Sequence, residues 1–121
     1  MLRNKDEPAD IMQRLGYEDI LLRWINYHIK KNGGNREIKN LGSDMIDGYA
    51  YGNILQSVAP SFPHNYYDLS QDQRAVKVIE TCKNEGFHPP IGPDGITSGN
   101  TRLNTLLCAE IFNNRHGLAF P

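Results

Sequence analysis

The sequence predicts a single all-α domain built from four main helices and short connecting turns. Over four separate stretches, apolar residues recur at intervals of three and four, which is the spacing of one helix face. Glycine and proline residues separate these stretches, and nowhere do apolar and polar residues alternate as a half-buried strand requires. With 121 residues, the chain is long enough to form one hydrophobic core without metal or disulfide support.

The first helix is predicted over Tyr17–Lys31. At about 100° per residue, its apolar side chains fall on a wide arc that also contains His28. An arc of this width indicates a helix buried on most sides, with Trp24 among its largest anchors and His28 as a hydrogen-bonded core residue. Residues 32–35 contain two glycines, which accept the left-handed conformation that ends helices, so we expect the helix to stop there.

The second helix is predicted over residues 44–58, with Ser43 or Asp44 as its cap. Its apolar residues share one side, and Ala59 followed by Pro60 ends it. Residues 61–69 show no periodicity, and we expect them to form a surface loop.

The third helix is predicted to begin at a capping box. Ser70 and Gln73 have the spacing at which each side chain satisfies an exposed amide of the other residue. We expect this helix to end near Gly86. Residues 89–95 are rich in proline and glycine, which predicts a turn-rich connection with a one-turn helix around Pro93.

The last helix is predicted from a cap at Asn100 to about Asn114. Its apolar residues lie on nearly all sides, which is typical of a helix in the middle of a core. We therefore expect it to be the central helix.

The chain divides into three predicted segments. Residues 1–16 read as a linker, residues 17–118 as the folded domain and residues 119–121 as a tail. The linker is polar except for a short apolar cluster formed by Ile11, Met12 and Leu15.

Composition and charge exclude several classes of partner. Thirteen Lys and Arg residues stand against fourteen Asp and Glu residues, so no overall field draws the chain to nucleic acid or anionic lipid. No apolar run approaches the roughly 20 residues of a membrane span, and the N-terminus lacks a signal-peptide apolar stretch. The two cysteines, Cys82 and Cys108, lie in separate predicted helices. We expect a cytosolic monomer that binds neither nucleic acid nor membrane.

No arrangement of residues predicts catalysis, a metal site or a cofactor. Residues 92–95 lack the spaced glycines and the Lys-Ser/Thr pair of a phosphate-binding loop, and the histidines and cysteines lack the close spacing of a zinc site. Asp94 and Glu85 could be proposed as an acid/base pair, but nothing in the sequence near them indicates burial. We expect both to be solvated turn residues, and we predict that the protein is not an enzyme.

Three blocks of sequence resemble one known family. Residues 21–28, LLRWINYH, are similar to the first helix of a calponin-homology (CH) domain in the form found in fimbrin and plastin. Two further blocks resemble that family's second main helix and its last helix: Ser43, Asp44, Asp47, Ala50, Tyr51, Leu55, Ala59 and Pro60 in the first, and Ser98, Gly99, Asn100, Leu103, Asn104, Ala109, Phe112 and Asn113 in the second. The resemblance runs from about Tyr17 to Leu118. Residues 9–15 are similar to the linker that enters the second CH domain of a fimbrin actin-binding pair, which predicts that this chain is part of a longer protein.

The resemblance implies actin-filament binding in the cytoskeleton, without a cofactor and without a reaction. In tandem CH proteins the first helix of the second domain supplies an accessory actin contact. Carried over to this sequence, the candidate contact residues on that helix are Tyr17, Asp19, Arg23, Asn26, Lys30 and Lys31.

A local positive charge supports this assignment. Residues 21–40 carry five basic residues, Arg23, Lys30, Lys31, Arg36 and Lys39, and one acidic residue, Glu37. We expect Arg23 and Lys30 to make rim contacts to an acidic surface, whereas Trp24 holds the fold. The alternative is that these charges form an ordinary solvated helix face.

Two other functions stay open at the level of sequence. The domain could be a regulatory or structural module that packs on a companion CH domain through Ile11, Met12 and Leu15, with little actin contact of its own. Binding to microtubules or axonemes, known for other CH domains, is the second alternative.

Overall fold

A computed structural model describes residues 16–117, and helices are the regular secondary structure found in that range. The α-helices are α1 (Tyr17–Lys31), α2 (Tyr49–Val58), α3 (Gln71–Asn84), α4 (Pro93–Thr97) and α5 (Thr101–Asn114). Two one-turn 3₁₀ helices, Ser43–Met45 and Tyr66–Asp68, lie in the connections on either side of α2. The predicted all-α class is confirmed.

The predicted bounds of the first helix and the predicted starts of the third, the last and the short helix are confirmed. The helix α1 has the predicted bounds. The helix α3 begins at the capping box, in which the Ser70 hydroxyl accepts from the Gln73 amide at 3.3 Å and the Gln73 side chain accepts from the Ser70 amide at 3.1 Å. Asn100 caps α5 by accepting from the Leu103 amide at 3.0 Å. A short helix, α4, begins at Pro93 as predicted.

The central helix is α2, and the prediction that the last helix is central was wrong. Most residues of α2 are buried, and α2 packs against α1, α3 and both 3₁₀ helices. In α5 only one side is buried, by Asn104, Leu107, Cys108 and Ile111, whereas Leu106 is 46% exposed. The reason is that an apolar side chain is buried only where another element covers its face of the helix.

The predicted start of the second helix was also wrong. After the 3₁₀ turn, Gly48 adopts a left-handed conformation with φ of +77°, and α2 begins only at Tyr49. Neither Ser43 nor Asp44 caps it, because Gly48 is the N-cap residue and the side chain that bonds there is Asp47, which accepts from the Tyr49 N–H at 3.1 Å. A Cβ atom at Gly48 would lie 2.6 Å from the Tyr66 hydroxyl, so the close approach of Tyr66 also requires glycine.

Residues 61–69 are not simply a surface loop as predicted. Tyr66 is completely buried, and its hydroxyl donates a hydrogen bond of 2.6 Å to the carbonyl of Gly48. Its ring packs on that of Phe62, with ring centroids 5.0 Å apart. One residue of an aperiodic segment therefore belongs to the core.

Residues 115–117, which we call the strap, cross from the end of α5 back onto α1 and α2. The carbonyl of His116 accepts from the indole N–H of Trp24 at 2.7 Å. The guanidinium of Arg115 donates to the carbonyl of Val58 at 2.6 Å and to the carboxylate of Glu85 at 2.7 Å. The strap thus joins the last helix to the first helix and to the C-terminal ends of α2 and α3.

Within residues 16–117 no helix is long and apolar enough to span a bilayer. The apolar cluster Ile11, Met12 and Leu15 lies outside the described residues, as does the chain from Leu118 onward.

Candidate functional site

The outward face of α1 is the surface on which the candidate contact residues lie. The opposite face is fixed in the core by Leu21, Trp24, Ile25, His28 and Ile29, all of which are buried. The acidic residues Glu18 and Asp19 stand in the first turn and Lys30 and Lys31 in the last, which is the favourable order for the helix dipole. The outward face is therefore carried by a well-anchored helix.

The structure exposes most of the candidate residues. Asp19, Lys30 and Lys31 are exposed, and Arg23 is half-buried. Tyr17 is 45% exposed, and its hydroxyl lies 3.4 Å from the side-chain oxygen of Asn113 on α5. The exposed Tyr17 ring thus lies at the acidic start of the helix, and Lys30 and Lys31 lie at its other end.

Asn26 has a different environment from the other candidates. Its amide N–H donates to the carbonyl of Ile38 at 3.0 Å, and its amide oxygen accepts from the Ile38 N–H at 2.8 Å. This reciprocal pair ties the segment after α1 to the outward side of the helix. A contact of Asn26 with a partner stays a prediction, but the structure favours a role in holding the surface together.

The positive charge of this region is smaller than the sequence count indicates. Arg36 forms a 2.7 Å ion pair with Asp47 and lies over the ring of Tyr49, 5.0 Å from its centroid. The carboxylate of Asp44 accepts from the backbone N–H of Lys39 at 2.8 Å, which brings a second negative charge into the same region. Asp44 and Asp47 lie outside residues 21–40, so a count along the sequence missed them. On α1 itself, Lys30 and Lys31 are exposed cations of this region.

A shallow groove of about 260 Å³ adjoins the C-terminal end of α1. Its lining is uncharged and consists of Asn32, Gly33, Gly34, Tyr49, Asn53, Gln56 and Tyr67. A Cβ atom at Gly34 would lie 2.5 Å from the Tyr49 hydroxyl, so this glycine lets the tyrosine lie against the backbone. The sequence predicted Gly33 and Gly34 only as the end of a helix. No local sequence signal predicts that Tyr67 lies in the same groove.

Glu85 is not the solvated turn residue that was predicted. Its side chain is only 10% exposed, and it accepts from the Ser61 hydroxyl at 2.6 Å and from Arg115 at 2.7 Å. These hydrogen bonds, with that from Ser61 the strongest, lower the pKa of the Glu85 carboxyl. The carboxylate is therefore a structural partner of the strap. Asp94 is exposed, as predicted.

The buried nucleophilic groups are held in unreactive forms. Burial raises the pKa of the Cys82 and Cys108 thiols to about 12 each, so both stay protonated near neutral pH. The Tyr51 hydroxyl donates to the side-chain oxygen of Asn104 at 2.7 Å within the core. Among residues 16–117, no three His, Cys, Asp or Glu side chains are grouped closely enough to hold a metal ion.

Comparison with known proteins places residues 16–117 in the family described as the calponin homology (CH) domain. Fimbrin-4 of Arabidopsis thaliana is 33% identical over 118 residues, which is 94% of this chain and 18% of that protein. Plastin-1 of Homo sapiens is 32% identical over 122 residues, which is 93% of this chain and 19% of that protein. The chain thus spans about a fifth of the length of the curated relatives it matches.

A solved structure has the same fold. The crystal structure of the actin-crosslinking core of Schizosaccharomyces pombe fimbrin aligns with a TM-score of 0.85 and 30% sequence identity. The alignment covers 97% of this chain and 26% of that one.

Proposed function

The chain belongs to the calponin homology domain family, and from that premise we propose that it binds actin filaments as the second CH domain of a tandem pair in a fimbrin-like cross-linking protein. The observation that carries this proposal is the fold match over 97% of the chain to the actin-crosslinking core of a fimbrin. The binding is expected to be weak for this domain alone, because the match covers 26% of that core.

The outward face of α1 is the surface we assign to the filament. Lys30 and Lys31 are exposed, and Arg23 lies on the same polar side of the helix as Lys30. Exposed cations at an interface rim speed the encounter with an acidic partner more than they add affinity, and salt screens them over about 10 Å at 0.1 M. Tyr17 is the candidate for a larger contribution, since tyrosine is frequent among residues that dominate binding energy.

We propose a non-catalytic role in the cytoplasmic cytoskeleton, with no cofactor. A binding surface of this kind needs a rigid helix and a polar outer face, both of which α1 provides. The companion CH domain of the parent protein is the second proposed partner.

Co-sedimentation with actin filaments tests the assignment. The variant Arg23→Glu/Lys30→Glu is compared with Lys83→Glu/Arg102→Glu, which makes the same change in net charge at exposed residues of α3 and α5. Two ion pairs at an interface rim contribute about 0.5–1 kcal/mol each, so we expect the α1 variant to lose roughly 5- to 30-fold in affinity and the control much less.

Equal losses in the two variants would mean that net charge, not the α1 face, governs the binding. Circular dichroism must first show that both variants keep the wild-type helix content. The same assay with microtubules tests the alternative polymer, since binding to microtubules but not to actin would contradict the proposal.

A second candidate function is packing on a companion CH domain with little direct actin contact. The observation that favours it is Leu106, a leucine 46% exposed on the outward side of α5. Under this reading the α1 variant retains wild-type co-sedimentation in the tandem pair, whereas Leu106→Gln alters the association of the two domains.

A further inference from the structure

Trp24 and His28 both bind the strap through a single atom, the carbonyl oxygen of His116. The indole N–H donates to it at 2.7 Å, and Nε2 of His28 lies 2.8 Å from it. Because a carbonyl oxygen can only accept, Nε2 of His28 must carry a hydrogen. In the neutral ring the other nitrogen, Nδ1, is then without a proton.

Nδ1 of His28 is buried and has no hydrogen-bond partner among the described residues. Protonation would create a positive charge and an N–H donor at this buried atom, for which no group among the described residues serves as acceptor. A buried charge and an unsatisfied donor each carry a large free-energy cost. The closed strap therefore favours neutral His28.

The charged groups around His28 add to this cost. On its own helix, Lys31 lies close enough to disfavour a second positive charge, and the Tyr27 ring contacts the imidazole by its edge. From the strap, the His116 carbonyl acts against this, because its hydrogen bond with Nε2 raises the pKa of His28, whereas the His116 imidazole lowers it. From α2, the apolar side chain of Val58 lies against Gly117 as the His28 ring does, and the Val58 carbonyl is bonded by the cation Arg115. Burial, the largest cause, outweighs the hydrogen bond from the strap, so that together with the basic neighbours it lowers the pKa of His28.

We propose that the strap is a pH-sensitive latch: protonation of His28 releases His116 and Gly117 from α1 and uncovers Trp24, while the helices stay folded. Gly117 is the part that must move, because it lies directly against Val58 and the His28 ring, where a Cβ atom would be 2.7 Å and 3.0 Å from them. This proposal is independent of actin binding.

Arg115 acts as the hinge of this latch. Its ion pair with Glu85 stays intact through the titration of His28, since the pKa of that carboxyl is already lowered by its hydrogen bonds. Opening is therefore expected to begin at the His116 end, next to Trp24, and not at Arg115.

The single tryptophan makes the latch directly observable. Tryptophan emission and its quenching by acrylamide are recorded from about pH 8 to about pH 5, together with far-UV circular dichroism. We expect a red shift and stronger quenching with a midpoint below the ordinary imidazole value of 6.5, at constant helix content.

Two variants distinguish the titration of His28 from that of its neighbour His116. In His28→Gln, the amide can still donate to the His116 carbonyl but does not titrate, so the transition should disappear. In His116→Gln, the backbone carbonyl is retained and the neighbouring imidazole is removed, so the transition should persist.

A third variant covers the case in which His28→Gln does not fold. Arg115→Ala removes the hinge bonds without touching His28, and it should move the transition to higher pH. The latch is refuted if wild-type emission is constant over this pH range, if His28→Gln keeps the transition, if His116→Gln abolishes it, if Arg115→Ala leaves the midpoint unchanged, or if helix content is lost at the same pH.

Discussion

The helices α1 and α5 have similar lengths, and apolar residues surround α5 more completely than α1, yet the side chains that the two helices bury differ in size. The helix α1 packs its largest side chains, including Trp24, into the core. The helix α5 buries smaller residues, Asn104 and Cys108 among them, and leaves the apolar Leu106 46% exposed. The elements that pack against a helix, and not its composition, therefore decide which of its faces is buried in the core.

Among the tests of this difference, Trp24→Ala in α1 has the largest expected effect on stability. Loss of a fully buried indole, with its hydrogen bond to the strap, should reduce the free energy of unfolding by about 3–5 kcal/mol. Urea denaturation measures it. Arg23→Ala, the adjacent residue on the outward side, is the control and should cost less than about 1 kcal/mol. Similar losses in both variants would show that the two faces of α1 are not distinct.

A second test concerns the polar residue that α5 buries. Tyr51→Phe removes the hydroxyl that donates to Asn104 and leaves the amide oxygen without that donor. The expected cost is about 1–3 kcal/mol in free energy of unfolding. Tyr17→Phe removes a hydroxyl that also contacts an asparagine of α5, but at an exposed position, and should change stability by less than about 0.5 kcal/mol. If thermal melting ranked the two variants in the opposite order, the buried Tyr51–Asn104 pair would not stabilise the fold.

The smallest expected effect is that of Leu106→Gln. Because this leucine is nearly half-exposed, the change should alter the free energy of unfolding by less than about 0.5 kcal/mol. Leu107→Gln, at the next position and fully buried, should cost at least about 2 kcal/mol. Chemical denaturation of the Leu106→Gln and Leu107→Gln variants measures the difference between their free energies of unfolding. A large loss for Leu106→Gln would mean that this face of α5 is covered after all.

The candidate surface was only partly predictable from the sequence. The polar side of α1 follows from helical periodicity, so Asp19 and Lys30 are exposed as a helical wheel requires. The same wheel could not predict that Asn26 bonds both backbone groups of Ile38. Nor could a local charge count include Asp47, which neutralises Arg36 from the next connection along the chain.

The sequence by itself determined what depends on near neighbours along the chain. The bounds of α1, the capping box of α3, the cap of α5 and the turn at Pro93 each involve residues within one helical turn of one another. Local sterics and local hydrogen bonds are enough to specify such features.

Only the tertiary structure decided the features that join distant residues. Tyr66 is buried because its hydroxyl reaches Gly48, and Glu85 is shielded because Ser61 and Arg115 approach it from 24 and 30 residues away. The His116 carbonyl meets Trp24 across 92 residues. Such contacts form only when packing brings separate helices together, so no local pattern of residue types carries them.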